Sequence, residues 1–382
     1  MNLMNTTRRG CWRFGLLLLM ISKMALSADL QLTLPPSWYA VPDVPMSLYY
    51  DNVVLTEKPQ NYRFEVQCDI GRSETRRWTV TPADKDVGTH PLSVTVKDSH
   101  ENILQQGTTT LHVAPRHAGA GRRLRLLVVG DSLTAASLYP NEMARLLAGP
   151  DNPRWTMLGT HKPPSAAKGV AHEGYGGWTW AAFLSRYNDK LGHPFDDKGK
   201  RWSSPFVYAG VDGKPALDLP RYFREHCSGE PPDVVTVLLG INDCFRANPN
   251  DLAAMDANIS AMLDHAEKLL KAFRAAAPRT AFAIGLTTPP NARESGFEAN
   301  YQGKYHRWDW KRIQHRLVQR MMERLGGRER EGIHLVPTEL NLDPVDGYPN
   351  NNGVHPNATG YQQIGASFYC WLKWWMHTQE KS

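Results

Sequence analysis

Short apolar runs separated by polar turns fill the first third of the chain, and from residue 124 onward such runs alternate with longer stretches at helical spacing. Runs rich in Val, Thr, Tyr and Trp recur at 61–68, 76–80, 91–97 and 108–113, with turn residues at 69–71, 84–88 and 98–102 between them. β-Branched and aromatic residues suit a pleated, half-buried surface, so this spacing predicts a small immunoglobulin-like β-sandwich over 29–115. Residues 116–123 are small, polar and charged, which reads as a linker. Five apolar runs follow, at 124–129, 155–159, 234–239, 281–286 and 333–336. Each is short and continuous, as strands buried on both faces require. Leu252, Met255, Ile259, Met262, Leu263, Ala266, Leu269, Leu270 and Phe273 recur at helical spacing, and 358–376 predicts a final helix with Thr359 as its candidate cap. The expected architecture over 124–382 is a three-layer α/β domain with a parallel sheet, whose ligands lie at the carboxyl ends of the strands.

The extreme N-terminus has a different pattern. Arg8, Arg9 and Arg13 precede the apolar stretch 14–21, and the small residues Ala25, Ser27 and Ala28 follow it. That order predicts a signal peptide over 1–28 and export to a periplasm or the exterior. The stretch is too short to span a bilayer, so no stable membrane anchor is expected. The formal charge of +6 includes Arg8, Arg9, Arg13 and Lys23 from this leader, which has no acid, so the remainder carries 6 − 4 = +2. Such a balance gives no support to a nucleic-acid partner. Cys68, Cys227, Cys244 and Cys370 lack metal-ligand spacing and their pairing is not readable. The histidines show no HExxH or paired spacing, so neither metal nor cofactor is expected.

Three segments, each placed where a strand or loop ends, carry the chemistry. Gly130-Asp131-Ser132-Leu133 follows the first apolar run of the α/β region, Gly240-Ile241-Asn242-Asp243 follows the third, and Gly353-Val354-His355-Pro356 lies near the C-terminus. A serine hydroxyl becomes a nucleophile when a base sits beside it and fixed donors await the oxyanion. With the glycine-rich stretch 172–179, these segments resemble the SGNH (GDSL) hydrolase family from about residue 124 to 376. The resemblance implies a flavodoxin-like α/β/α fold, Ser132 as nucleophile and His355 as general base. It also implies an oxyanion hole made by the N–H groups of Ser132 and Gly177 and the amide of Asn242; Gly174 and Gly176 match less well. Asp131 and Asp243 are expected to hold loops by accepting backbone hydrogen bonds.

One position departs from the family. Its usual Asp three residues before the histidine is Asn352 here. Asn352 orients His355 through its side-chain oxygen, or Asp346 or Asp343 replaces the acid, or the site is slow or inactive.

The resulting expectation is a secreted serine carboxylic-ester hydrolase acting on O-acyl, foremost O-acetyl, esters of a small-molecule or polysaccharide alcohol. Tyr175, Trp178, Trp180 and Trp308 are candidate sugar-contacting rings, since flat aromatics suit the apolar faces of sugars. Rival readings are an SGNH lipase or arylesterase, and a non-catalytic glycan-binding protein on the same fold. The β domain reads as a spacer or packing partner.

Overall fold

The structure, a computed structural model, describes residues 30–196 and 199–380. The signal peptide expected over 1–28 lies outside these residues.

Five parallel strands, with the two-residue strand Glu173–Gly174 beside the end of the first, form the central sheet: β1 (Arg123–Gly130), β2 (Arg154–Leu158), β3 (Val234–Leu238), β4 (Ala281–Gly285) and β5 (Ile333–Val336). Their order across the sheet is β2-β1-β3-β4-β5, all in parallel register. β3, β4 and β5 are buried at every position, which is why their sequences are almost wholly apolar, Thr236 and His334 being the polar exceptions. Four long helices flank the sheet: α1 (Leu138–Leu147), α2 (Leu252–Ala276), α3 (Arg307–Leu325) and α4 (Ala358–Glu380). α1 packs on α4 and α2 on α3, giving the three layers. Along α2 the apolar stripe from Met255 to Phe273 is buried, while Leu252 stays exposed beside the capping Asp251. The strand order reverses between β1 and β3. In such sheets the crevice outside the carboxyl ends of those two strands is where ligands bind.

The N-terminal region is a β-sandwich. One sheet runs Ser37–Ala40, Ile103–Val113, Gly88–Lys97, Arg63–Gln67; the other runs Met46–Tyr49, Arg77–Val80, Arg72–Ser73. Trp38 and Trp78, one from each sheet, meet edge to face at 5.9 Å in the core between them.

The sandwich is docked firmly on the α/β domain. Asn52 Nδ2 donates to the carbonyls of Glu339 and Leu342, both at 2.8 Å, and Asn341 Oδ1 accepts from the Ser47 N–H at 2.8 Å. Lys311 of α3, fully buried, donates to the Asp51 carboxylate at 3.1 Å, and Trp374 of α4 lies 4.8 Å from Tyr39. The connecting segment is itself pinned, with the Gly119 N–H bonded to Glu380 Oε1 at 2.7 Å. Cys68, Cys227, Cys244 and Cys370 are all free thiols, the last three buried.

Candidate active site

Ser132 opens a short helix, Ser132–Ala135, at the carboxyl end of β1. Asp131 caps that helix, its carboxylate accepting the Leu133 N–H at 3.0 Å. The turn from strand to helix is tight. A Cβ on Gly130 would lie 2.0 Å from Thr134 Oγ1 and 2.8 Å from the Leu238 carbonyl, so only glycine fits there.

The loop between β5 and α4 brings His355 to this serine. His355 Nε2 lies 2.9 Å from Ser132 Oγ, and His355 Nδ1 lies 3.2 Å from Asn352 Oδ1. The same Asn352 oxygen accepts the backbone N–H groups of Val354 at 3.1 Å and His355 at 2.9 Å. Backbone N–H groups only donate, so the atom facing them must be the amide oxygen. Nδ1 therefore carries the proton, and Nε2 offers its lone pair to the serine hydroxyl. Asn352 Nδ2 donates to Asn300 Oδ1 at 3.2 Å, fixing the other side of the amide. Burial holds the His355 pKa below the ordinary imidazole value.

Gly177 and Asn242 arrive from neighbouring strand ends. Residues 173–174 pair in parallel with Val129 and Gly130, carrying the next residues past Ser132. They turn at Tyr175–Trp178, closed by the Trp178 N–H on the Tyr175 carbonyl at 3.2 Å. Gly177, third in this turn, has φ +76°, which L side chains rarely adopt. Asn242 lies in the short helix Ile241–Cys244 after β3. Its Nδ2 donates to Asp131 Oδ2 at 3.2 Å and to the Trp178 carbonyl at 3.1 Å, so one amide spans the serine turn and the glycine turn. Asp243 accepts the Trp180 N–H at 3.1 Å. Burial pushes Asp131 and Asp243 up to about 7 each, Asp243 being raised further by its neighbour Asp131.

Other candidates lie elsewhere. Asp343 and Asp346 are turned to Arg76 of the β domain, at 3.2 Å and 2.7 Å, and the Nδ1 contact falls on Asn352 instead. Trp178, Trp180 and Tyr175 are core rings with at most 4% of their surface exposed, which leaves them no face to offer a sugar. Their positions in the loop follow from packing: Tyr175 and Trp178 lie tilted against each other at 4.6 Å, and Trp178 meets Phe183 edge-on at 4.9 Å. Trp308 is half-buried at the start of α3.

Two groups escape sequence reasoning. Glu173 is fully buried, accepting from Thr160 N–H at 2.8 Å, Thr160 Oγ1 at 2.9 Å, Tyr222 OH at 2.7 Å and the Tyr175 hydroxyl. These four donors anchor the strand that leads into the Gly177 turn. Asn291, after β4, donates to the carbonyls of Pro349 and Asn352, both at 2.9 Å, bracing the histidine loop. Glu173 lies within the stretch 172–179, where only the glycines drew attention, and Asn291 stands in no motif; each role is recognisable only once its partners are brought together. Among the described residues no cluster of three His, Cys, Asp or Glu side chains is placed to hold a metal ion.

Comparison with known proteins places this geometry in context. None of the curated proteins matches the chain. Similar solved structures include a carbohydrate esterase family 3 protein from Talaromyces cellulolyticus (18% identity, 66% of this chain and 98% of that one, TM-score 0.39). A Clostridium thermocellum family 3 carbohydrate esterase (16%, 65% and 94%, 0.40) and an aryl esterase from M. smegmatis (15%, 65% and 98%, 0.35) are further examples. At these scores the likenesses carry no argument about substrate. The sequence profile of the GDSL-like lipase/acylhydrolase family, by contrast, matches residues 126–368, well over half the chain. Together with the strand order, that match makes the chain a member of the GDSL-like lipase/acylhydrolase family.

Proposed function

We propose that this family member is a serine esterase that removes O-acyl groups, foremost acetyl, from carbohydrate alcohols. The observation that carries the reading is the relay from Ser132 Oγ through the His355 ring to Asn352, at 2.9 Å and 3.2 Å. Ser132 attacks the ester carbonyl as His355 Nε2 takes its proton. The N–H groups of Ser132 and Gly177 and the Asn242 amide receive the oxyanion. His355 then protonates the leaving alcohol, and water, activated by the same imidazole, releases the acyl group.

The carbohydrate part rests on the rings beside this relay. Half-buried Phe245, three residues beyond Asn242, packs against Tyr301 at 5.2 Å and Tyr305 at 4.6 Å, and Tyr301 adjoins Asn300, the partner of Asn352. Aromatics with hydroxyls suit a partner with apolar faces and polar edges. The leader expected over 1–28 would put the enzyme outside the cytoplasm, where such polymers are met.

The test is acetate release from acetylated xylo-oligosaccharides, beside labelling by a fluorophosphonate. Acetate release with labelling at Ser132 is the expected result; a folded protein with neither activity nor label sinks the esterase reading and leaves a glycan-binding protein. Two finer outcomes follow from the geometry. Asn242→Ala is expected to lower kcat on 4-nitrophenyl acetate about a hundredfold with little change in KM, as for loss of one oxyanion donor. The base must be neutral to work, and burial lowers the His355 pKa, so the acid limb of kcat/KM is expected below pH 6.5. A limb above pH 7 in the pH–rate profile would contradict that assignment.

A further inference from the structure

Two loops that hold the histidine segment also form one wall of a cavity of about 670 Å³ between the β domain and the α/β domain. That volume lies within the range of small-molecule sites, roughly 300–1,000 Å³. Ala292, Pro344 and Val345 line it from the α/β side. The Ala292 N–H bonds the Pro344 carbonyl at 2.6 Å, and the adjacent Asn291 side chain bonds the Asn352 carbonyl at 2.9 Å. Arg76, also in the lining, crosses from the β domain to Asp343 and Asp346 at the start of the same loop. Only a few residues therefore separate the cavity wall from the group that orients His355.

The chemistry of the lining selects a ligand class. Three carboxylates, Asp51, Glu57 and Glu74, stand beside three guanidiniums, Arg63, Arg76 and Arg307, so the lining has no net charge. Several of these charges are already matched: Asp51 by Lys311, Glu74 by Arg77, Arg76 by Asp343. Neither a phosphate nor a cation finds an excess of opposite charge here. Two half-buried rings, Tyr62 and Phe64, supply flat apolar surface, and Phe64 is held by face-to-face stacking on Tyr50 at 4.6 Å. Flat rings within a rim of hydrogen-bonding groups of both signs match an uncharged sugar, which has apolar ring faces and hydroxyls that both donate and accept.

We propose that the interdomain cavity is a subsite for uncharged pyranose units of the substrate's alcohol part, built jointly by the two domains. The proposal rests on the carbohydrate-ester reading of the Ser132 site and adds to it a role for the β domain in choosing the substrate.

The test uses sugars without an ester, so binding is read whether or not Ser132 reacts. Wild-type protein is titrated calorimetrically with xylotetraose, cellotetraose and chitotetraose, beside Tyr62→Ala and Thr75→Trp. Tyr62→Ala removes a ring; Thr75→Trp fills the cavity from an exposed position where folding is undisturbed. The expected result is binding of at least one tetraose, weakened about tenfold or more in both variants. For the acetylated form of the sugar that binds, KM should rise by a like factor with kcat held. No binding of any of the three, or binding that neither variant weakens, overturns the proposal. Failure of fluorophosphonate labelling would instead strike the esterase reading and leave the sugar-binding result standing.

Discussion

Ser132→Ala is expected to lower kcat on 4-nitrophenyl acetate by about 10⁶, the scale seen when the nucleophile of a serine hydrolase triad is removed. The reason is local. His355 Nε2 would face a methyl group where it now meets the hydroxyl at 2.9 Å, and among the described residues no other hydroxyl is bonded to that nitrogen. The oxyanion donors survive, because residue 132 keeps its N–H and Asn242 and Gly177 are untouched. A residual acceleration of about 10³ over water is therefore expected. Stability should hardly move: the helix cap is Asp131, and an exchange of this kind away from the core falls within about 0.5 kcal/mol. An alanine variant with unchanged melting behaviour but a tenth of wild-type activity would remove Ser132 from the mechanism.

Asn352 carries the second large expectation. Asn352→Ala is expected to cost about a thousandfold in kcat, somewhat less than the loss of a charged triad member. Three hydrogen bonds converge on its oxygen, from His355 Nδ1 and from the N–H groups of residues 354 and 355. Their loss frees both the ring tautomer and the loop. In a serine protease the change from Asp to Asn costs about 10⁴ because the tautomer becomes wrong. Here the two backbone donors fix the amide with its oxygen toward Nδ1, so the tautomer is already the productive one. What Asn352 lacks is negative charge to steady the imidazolium. Asn352→Asp should supply it and raise kcat about tenfold, a charge-assisted bond being roughly twice as strong as a neutral one. The acid limb should also move to higher pH, since a nearby carboxylate favours protonated His355. A kcat that falls in the Asp variant while the limb stays fixed would show that the carboxylate is not seated at Nδ1.

The parts legible in the sequence were those set by short-range pattern. The runs at 124–129, 155–159, 234–239, 281–286 and 333–336 became β1 to β5 with shifts of at most one residue at their ends, because strands buried on both faces, as β3 to β5 are, demand mostly apolar side chains. The meeting of Ser132 with His355, and of Asn242 with the turn that holds Gly177, was foreseeable because each sits at the end of a strand or in a tight loop where the local residues announce a turn. The rings misled. Tyr175, Trp178 and Trp180 stand in the right loop, but composition does not tell which way a loop side chain points, and all three point inward. In the β domain the strands Ser37–Ala40 and Met46–Tyr49 went unread, lying among Pro35, Pro36, Pro42 and Pro45, which interrupt the pattern. Nor was any signal available for the Arg76 pairing or the interdomain cavity. Both join residues more than two hundred positions apart, and only the docking of the two domains brings them together.

That docking has a consequence for how the protein can be cut or recombined. Tyr39, on the strand Ser37–Ala40 of the sandwich, packs on Trp374, near the end of α4, and Met46 packs beside Cys370. A chain that emerges N-terminus first presents these strands long before the helix that covers them exists. The face of the sandwich that α4 covers therefore stays open until synthesis is almost complete. A fragment ending at residue 115 would expose the face that α4 now covers, and a foreign sandwich grafted at that point would meet a helix shaped for another surface. The segment 116–123 marks a change of architecture, yet the folded unit extends across it to both ends of the described chain.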